Sequence, residues 1–199
     1  GFGPDRLLDS QSMHKPLAAI VTMAAVADGR LALADPLSRW LPQWRDDPRG
    51  RITVEQVLRM QTGLEEPAFE QKFGNRAYDF FITTQLEPKL FSLATEDAPG
   101  SRFKVHYAAT QLLQKVVEAA TGRRYSAYLA ERVWAPLGGG EARVRVDHEG
   151  GDALVFCCIE ARPRDWLRVG LMLAGHGTYE NRTVLPLREF LQLTTPSPL

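Results

Sequence analysis

LLDSQSMHKPLAAIVTMAAVADG, residues 7–29, is the stretch that decides the fold. From Ser12 to Asp28 the apolar side chains go nearly all the way round: Met13, Leu17, Ile20, Val21, Met23, Ala24 and Val26 leave no polar face. A helix that is apolar on every side is buried on every side. The pattern predicts a central helix over 12–28, closed by Gly29 in a left-handed position. Its entrance is polar and holds Ser12, His14 and Lys15. At ~100° per residue, Ser12 and Lys15 lie roughly 60° apart, on one face and a turn from each other. Either these residues cap and solvate the entrance, or the helix carries a nucleophile and its base. The second reading has a physical route. Burial disfavours the ammonium form of a lysine, so its amine can take a proton. The unpaired N–H groups of a helix start favour the negative charge of an oxyanion. S-x-x-K alone recurs often by chance. The nearly all-apolar helix directly behind the pair is what favours chemistry over capping.

The remaining bulk numbers narrow the field. The chain has 199 residues, 44% hydrophobic and 24% charged, with zero formal net charge. That is the composition of a globular domain with a sizeable core. A neutral chain without a basic block gives no electrostatic reason to expect nucleic acid as a partner. No run approaches the ~18 consecutive apolar residues of a membrane span. The two cysteines, Cys157 and Cys158, are adjacent. Neighbours rarely pair, so no disulfide framework is expected and the two read as small buried hydrophobes. The chain opens in GFGPDRLL, with neither an initiating Met nor a signal-peptide pattern, and closes in TTPSPL. This leads us to expect a single domain over 1–199, cut from the interior of a longer protein.

Downstream, helices dominate. ITVEQVLRMQTGL carries a capping box, Thr53 with Gln56, and Gly63 as a stop. Residues 65–98 are the least regular, with loops and one or two helices. Leu112, Leu113, Val116, Val117 and Ala120 share one helical face that ends at Gly122. Tyr125–Trp134 reads as another helix. Val144 and Val146 alternate with charged residues as a half-buried strand, and LVFCCIE follows as a short strand or turn. PRDWLRVGLMLAG is a helix with Pro163 in its first turn, and NRTVLPLREFLQL leads into a last one. The helical region covers about 8–140, and strand and helix share about 141–199.

Taken in order, these segments resemble the serine β-lactamase superfamily, in the branch of class C β-lactamases, penicillin-binding proteins and related esterases. The first segment is SMHKPLAAIVTMAAVADGRLALADPLSRWLP, followed by ITVEQVLRMQTGL. It continues in PGSRFKVHYAATQLLQKVVEAATGRRYSAYLAERVWAPLG and EGGDALVFCCIEARPRDWLRVGLMLAGHGTYENRTVLP. The last of these is most like the branch that includes 6-aminohexanoate-dimer hydrolases. The resemblance implies an α/β (α+β) β-lactamase/transpeptidase-like fold, of which this chain supplies mostly the helical part. The sheet-forming chain ends would lie outside it. It also implies an acyl-enzyme on Ser12, with Lys15 as general base, acting on a small-molecule ester or amide without a cofactor.

Two departures stand out. The family's second motif begins with a Tyr, which an ungapped alignment places on Val105, and the local tyrosine is Tyr107. Either the loop shifts by two and Tyr107 serves as the catalytic phenol, or Tyr107 packs and the phenol is missing. The neighbouring His106 is a proton carrier in one reading and a solvated or hydrogen-bonded loop residue in the other. A third motif, Lys-Thr-Gly or His-x-Gly, has no counterpart after residue 180. These departures keep open a catalytically impaired sensor or scaffold on the same fold, and a plain helical interaction domain with Ser12 as a cap. His148 and His176 sit in glycine-rich turns without metal-ligand spacing. Asp165 could complete a triad with Ser12 and a histidine, but no G-x-S-x-G elbow surrounds Ser12.

Overall fold

The computed structural model describes residues 3–67 and 76–196 of the protein. The predicted central helix is α1, His14–Ala27, with Leu17, Ala18, Ile20, Val21, Met23, Ala24 and Ala25 all essentially without solvent contact. Arg30 N–H reaches back to Ala25 O, and Gly29 takes φ 67°, the left-handed stop that the sequence indicates. α1 packs against α5 (Tyr107–Thr121) and α8 (Leu187–Thr194).

Between them lie α2 (Val54–Leu58), α3 (Arg76–Ile82) and α4 (Leu86–Phe91). The capping box forms as read: Thr53 Oγ1 accepts from Gln56 N–H while Gln56 Oε1 accepts from Thr53 N–H. α2 stops earlier than Gly63, because Met60 already turns left-handed at φ 54°. Gly63 does a different job. It takes φ 70°, and a Cβ there would sit 2.1 Å from Asp97 O, so only glycine lets these loops meet. Residues 65–98 supply two helices, α3 and α4, while Phe69 and Phe73 lie outside the described residues.

α6 covers Tyr125–Leu129 and widens into a π turn over Ala130–Trp134, within the stretch read as one helix. A small antiparallel sheet runs β1 (Leu8–Asp9), β3 (Ile159–Ala161), β2 (Ala142–Val144), with Leu8 and Ala142 both opposite Ala161. Val146 lies beyond β2, joined to Ala153 by a single bridge. α7 (Pro163–Ala174) follows, with Pro163 in its first turn. A hairpin of β4 (Thr178–Tyr179) and β5 (Arg182–Thr183) precedes α8. Among the described residues no helix is long and apolar enough to cross a membrane.

Residues 152–158 form no regular strand, yet Ala153–Cys158 are buried. Their polar backbone is satisfied partly by irregular backbone bonds, such as Leu154 N–H to Arg145 O, and partly by side chains. The buried Gln111 of α5 donates Nε2–H to Ala153 O at 2.7 Å and accepts from Val155 N–H at 3.0 Å, as a neighbouring strand would. The sequence reading leaves Cys157 and Cys158 unpaired. The structure joins them in a disulfide, while keeping them buried as read. In an extended strand neighbouring side chains point to opposite faces. Here Cys158 takes φ 72°, and the left-handed turn brings the two sulfurs together.

Candidate active site

Ser12 lies in a 3-10 turn, Gln11–Met13, that runs directly into α1. The sequence reading places it at the α-helix start itself. The difference arises at Gln11, held at φ 47° with its N–H on Asp9 Oδ1 at 2.7 Å. This bend takes the chain sharply out of β1. A left-handed non-glycine residue immediately before a candidate nucleophile is strain of the kind that gathers at functional sites. The bend leaves Ser12 exposed and Lys15 half-buried. The first N–H groups of such a turn have no partner within it, so the Ser12 N–H is a candidate donor to an oxyanion.

The structure brings the two predicted residues together. Lys15 Nζ lies 3.0 Å from Ser12 Oγ and donates to the Phe156 carbonyl at 2.7 Å. Burial holds the Lys15 ammonium below the ordinary lysine range, opposed in part by the charge of Glu66. The Phe156 carbonyl belongs to a segment laced along the helix entrance. Ser10 N–H donates to Ile159 O at 2.9 Å, Ile159 N–H to Ser10 Oγ at 3.2 Å, and Cys158 N–H to Gln11 O at 3.2 Å. His14, fully buried, places Nδ1 2.9 Å from Cys157 O and Nε2 3.1 Å from the Tyr125 hydroxyl. Burial pushes His14 down to about 4, against the pull of the Cys157 and Leu154 carbonyls.

Tyr107 is the first residue of α5 and is buried; its hydroxyl donates to Pro67 O at 2.9 Å and its ring lies 5.8 Å from that of Phe156. It therefore borders the residue that holds Lys15. Val105, on which the ungapped reading of the sequence places the family's tyrosine, is 63% exposed. His106 is buried and caps α5: Nδ1 accepts from Ala109 N–H at 2.7 Å and faces Glu66 Oε2 at 2.6 Å, and Nε2 bonds Leu64 O at 3.0 Å. Its ring is thus hydrogen-bonded as the blander reading has it, though buried rather than solvated. Asp165 is buried at the start of α7 and paired with Arg168, and His148 pairs with Asp147 in its turn. With both sulfurs in a disulfide, neither cysteine is a thiol nucleophile.

Sequence reasoning missed three contributors. The Phe156 carbonyl leaves no signature, because any residue carries one. Glu66, whose Oε1 accepts from Tyr107 N–H at 3.1 Å, lies at the edge of the least regular stretch. His14 did leave a signal: an ionisable ring at a position that the apolar pattern buries.

The β-lactamase family model matches residues 2–176, and the chain belongs to that family. A 6-aminohexanoate-dimer hydrolase of Paenarthrobacter ureafaciens is 27% identical over 188 residues, 89% of this chain and 48% of that protein. Esterase EstB of Burkholderia gladioli is 32% identical over 148 residues, 67% of this chain and 37% of that protein. The chain thus spans about half or less of these curated relatives. The solved structure of a penicillin-binding protein from Bacillus halodurans superposes with a TM-score of 0.77 at 20% identity, over 96% of this chain and 65% of that one, which shows the shared β-lactamase/transpeptidase-like fold.

Proposed function

We propose that this β-lactamase-family chain carries the nucleophile and base of a serine hydrolase that cleaves a small-molecule ester or amide through an acyl-enzyme on Ser12. One observation carries the reading: an exposed serine hydroxyl 3.0 Å from a lysine amine whose charge is disfavoured by burial. Neutral Lys15 keeps one N–H on the Phe156 carbonyl, which turns its lone pair toward Oγ. Oγ then gives its proton to Nζ as it attacks the substrate carbonyl. The developing oxyanion is met by the Ser12 N–H. Collapse expels the alcohol or amine, which takes the proton from Nζ, and leaves the acyl group on Oγ. Water attacks the ester, its proton passing back through the same amine, and releases the acid. The scheme uses only protein groups and water. The names of the matched relatives, an esterase and an amino-acid-dimer hydrolase, support an ester or amide as the substrate class.

A second reading has its own support. The Tyr107 hydroxyl is engaged on Pro67 O, and Val105 stands where the ungapped reading of the sequence places the family's phenol. A protein that acylates and deacylates slowly would be a covalent sensor. Intact-mass labelling with a fluorophosphonate and with a β-lactam separates the two. One adduct is expected on the intact protein, absent in Ser12→Ala and formed about a hundredfold more slowly or worse in Lys15→Ala. Decay of the β-lactam adduct within minutes supports the hydrolase, and an adduct stable for hours supports the sensor. A folded protein that never forms a Ser12-dependent adduct overturns both.

A further inference from the structure

We propose that His14 is a positioning residue for Lys15, a neutral ring that fixes the backbone carbonyl against which the lysine amine is held. The inference rests on the reading of Ser12 and Lys15 as nucleophile and base. An imidazole at a fully buried place on an apolar helix is costly unless both nitrogens are satisfied. Both are, by partners far away in the chain: Cys157 O and the Tyr125 hydroxyl. Cys157 O can only accept, so Nδ1 carries the hydrogen and Nε2 accepts from Tyr125. The ring thus rivets α1 to α6 and to residues 156–158 at once.

The geometry at the far end gives the rivet its purpose. Cys157 C=O and Cys158 N–H belong to one rigid peptide plane. His14 holds its oxygen, and Gln11 O holds its N–H. The Phe156 carbonyl is the next plane along, separated only by the φ and ψ of Cys157, and it receives Lys15 Nζ. The Cys157–Cys158 disulfide ties down the same two residues. Among the described residues, Lys15 is faced by the Ser12 hydroxyl, the Phe156 carbonyl, the charge of Glu66 and, as a neutral neighbour, His14. A leucine at position 14 would fill the apolar site but remove the anchor on the plane's oxygen, leaving the plane held through its N–H alone. Phe156 O would then drift, and the long lysine side chain would swing toward water. Burial is the larger influence on Lys15, so its amine would titrate nearer to an ordinary lysine.

The test follows Lys15 directly by NMR titration of carbon-13-labelled lysine ε positions in the intact protein, beside the rate of fluorophosphonate labelling. In His14→Leu the Lys15 titration is expected to move up toward the ordinary lysine range, and acylation to slow about tenfold, the scale of a displaced catalytic group. His14→Asn, whose amide N–H falls near the Nδ1 position, is expected to restore most of both. If the leucine variant does not fold, Tyr125→Phe serves instead: it strips the ring of one anchor and is expected to slow acylation by about threefold or more. Folded variants that lose thermal stability yet keep the wild-type Lys15 titration and labelling rate overturn the proposal and leave His14 as a core residue. The NMR titration decides this even if no Ser12 adduct ever forms, a result that would instead sink the hydrolase reading.

Discussion

His14 and Lys15 are chain neighbours with opposite fates, one sealed in the core and the other turned to the surface beside Ser12. His14 makes the folded state sensitive to acid. Its folded value, pushed down to about 4, lies below the ordinary histidine value of 6.5, so the unfolded chain binds the extra proton first. The stability that comes from keeping the ring neutral is present above pH 6.5 and is lost as pH falls toward 4, by about 3 kcal/mol in all. Thermal unfolding followed between pH 4 and 7 should show this slope in the wild type and a flatter one in His14→Leu; parallel slopes would falsify the assignment. Tyr107 makes a simpler case. Tyr107→Phe removes the bond to Pro67 O and should cost about 1 kcal/mol. If the phenol takes part in deacylation, the same change prolongs the life of the β-lactam adduct. An unaltered lifetime would assign Tyr107 to packing alone.

Elements differ in how openly the sequence declares them. α1, α5 and α7 were legible because each carries its apolar period and its stop within one stretch, as in Leu112–Val117 with Gly122. The capping box of α2 was legible for the same reason: Thr53 and Gln56 satisfy each other three residues apart. The Ser12–Lys15 pair of the candidate site was legible as local spacing at the entrance of α1, though Ser12 stands in the 3-10 turn before it. The buried stretch 152–158 was not, since its backbone partners are scattered: Gln111 on α5, Gln11, His14 and Lys15 at the other end of the chain, and Arg145 and Asp147. No local pattern encodes a ladder whose second strand is a glutamine side chain, and none marks a left-handed Cys158. This contrast predicts two classes of variant. Thr53→Ala should lower stability by about 1 kcal/mol and leave Ser12 labelling as it is. Gln111→Leu strands Ala153 O and Val155 N–H in the interior and should cost about 2–3 kcal/mol. It also loosens the segment that ends in Phe156, so labelling should slow with it. Melting curves and labelling rates of the two variants, side by side, check the distinction. Equal labelling in both would mean that Gln111 stabilises the fold without reaching the site.

At the scale of the molecule, the candidate nucleophile stands where a deeply buried helix meets the surface. A site needs rigid support to hold donor and acceptor within a few tenths of an ångström. α1 gives that support, being packed against both α5 and α8. One contiguous buried cluster extends from Leu17 of α1 through Leu112 and Val116 of α5 and Phe156 to Val184. The β4–β5 hairpin, by contrast, pairs only two residues per strand, and Arg182 and Thr183 are exposed. Protection from hydrogen exchange follows burial and cooperative packing. Amides of α1 and α5 should therefore open together, with the same free energy and in the slowest class of the chain. Those of 178–183 should exchange orders of magnitude faster, by local opening. Exchange read by mass spectrometry on the intact protein resolves these segments. The same experiment on the Ser12 adduct should slow exchange at 156–159, the segment laced to the helix entrance, and leave 178–183 as it was. If α1 exchanged with the hairpin rather than with α5, the nucleophile would stand on a mobile element. The 3.0 Å separation of Ser12 and Lys15 would then be one arrangement among many instead of a built site.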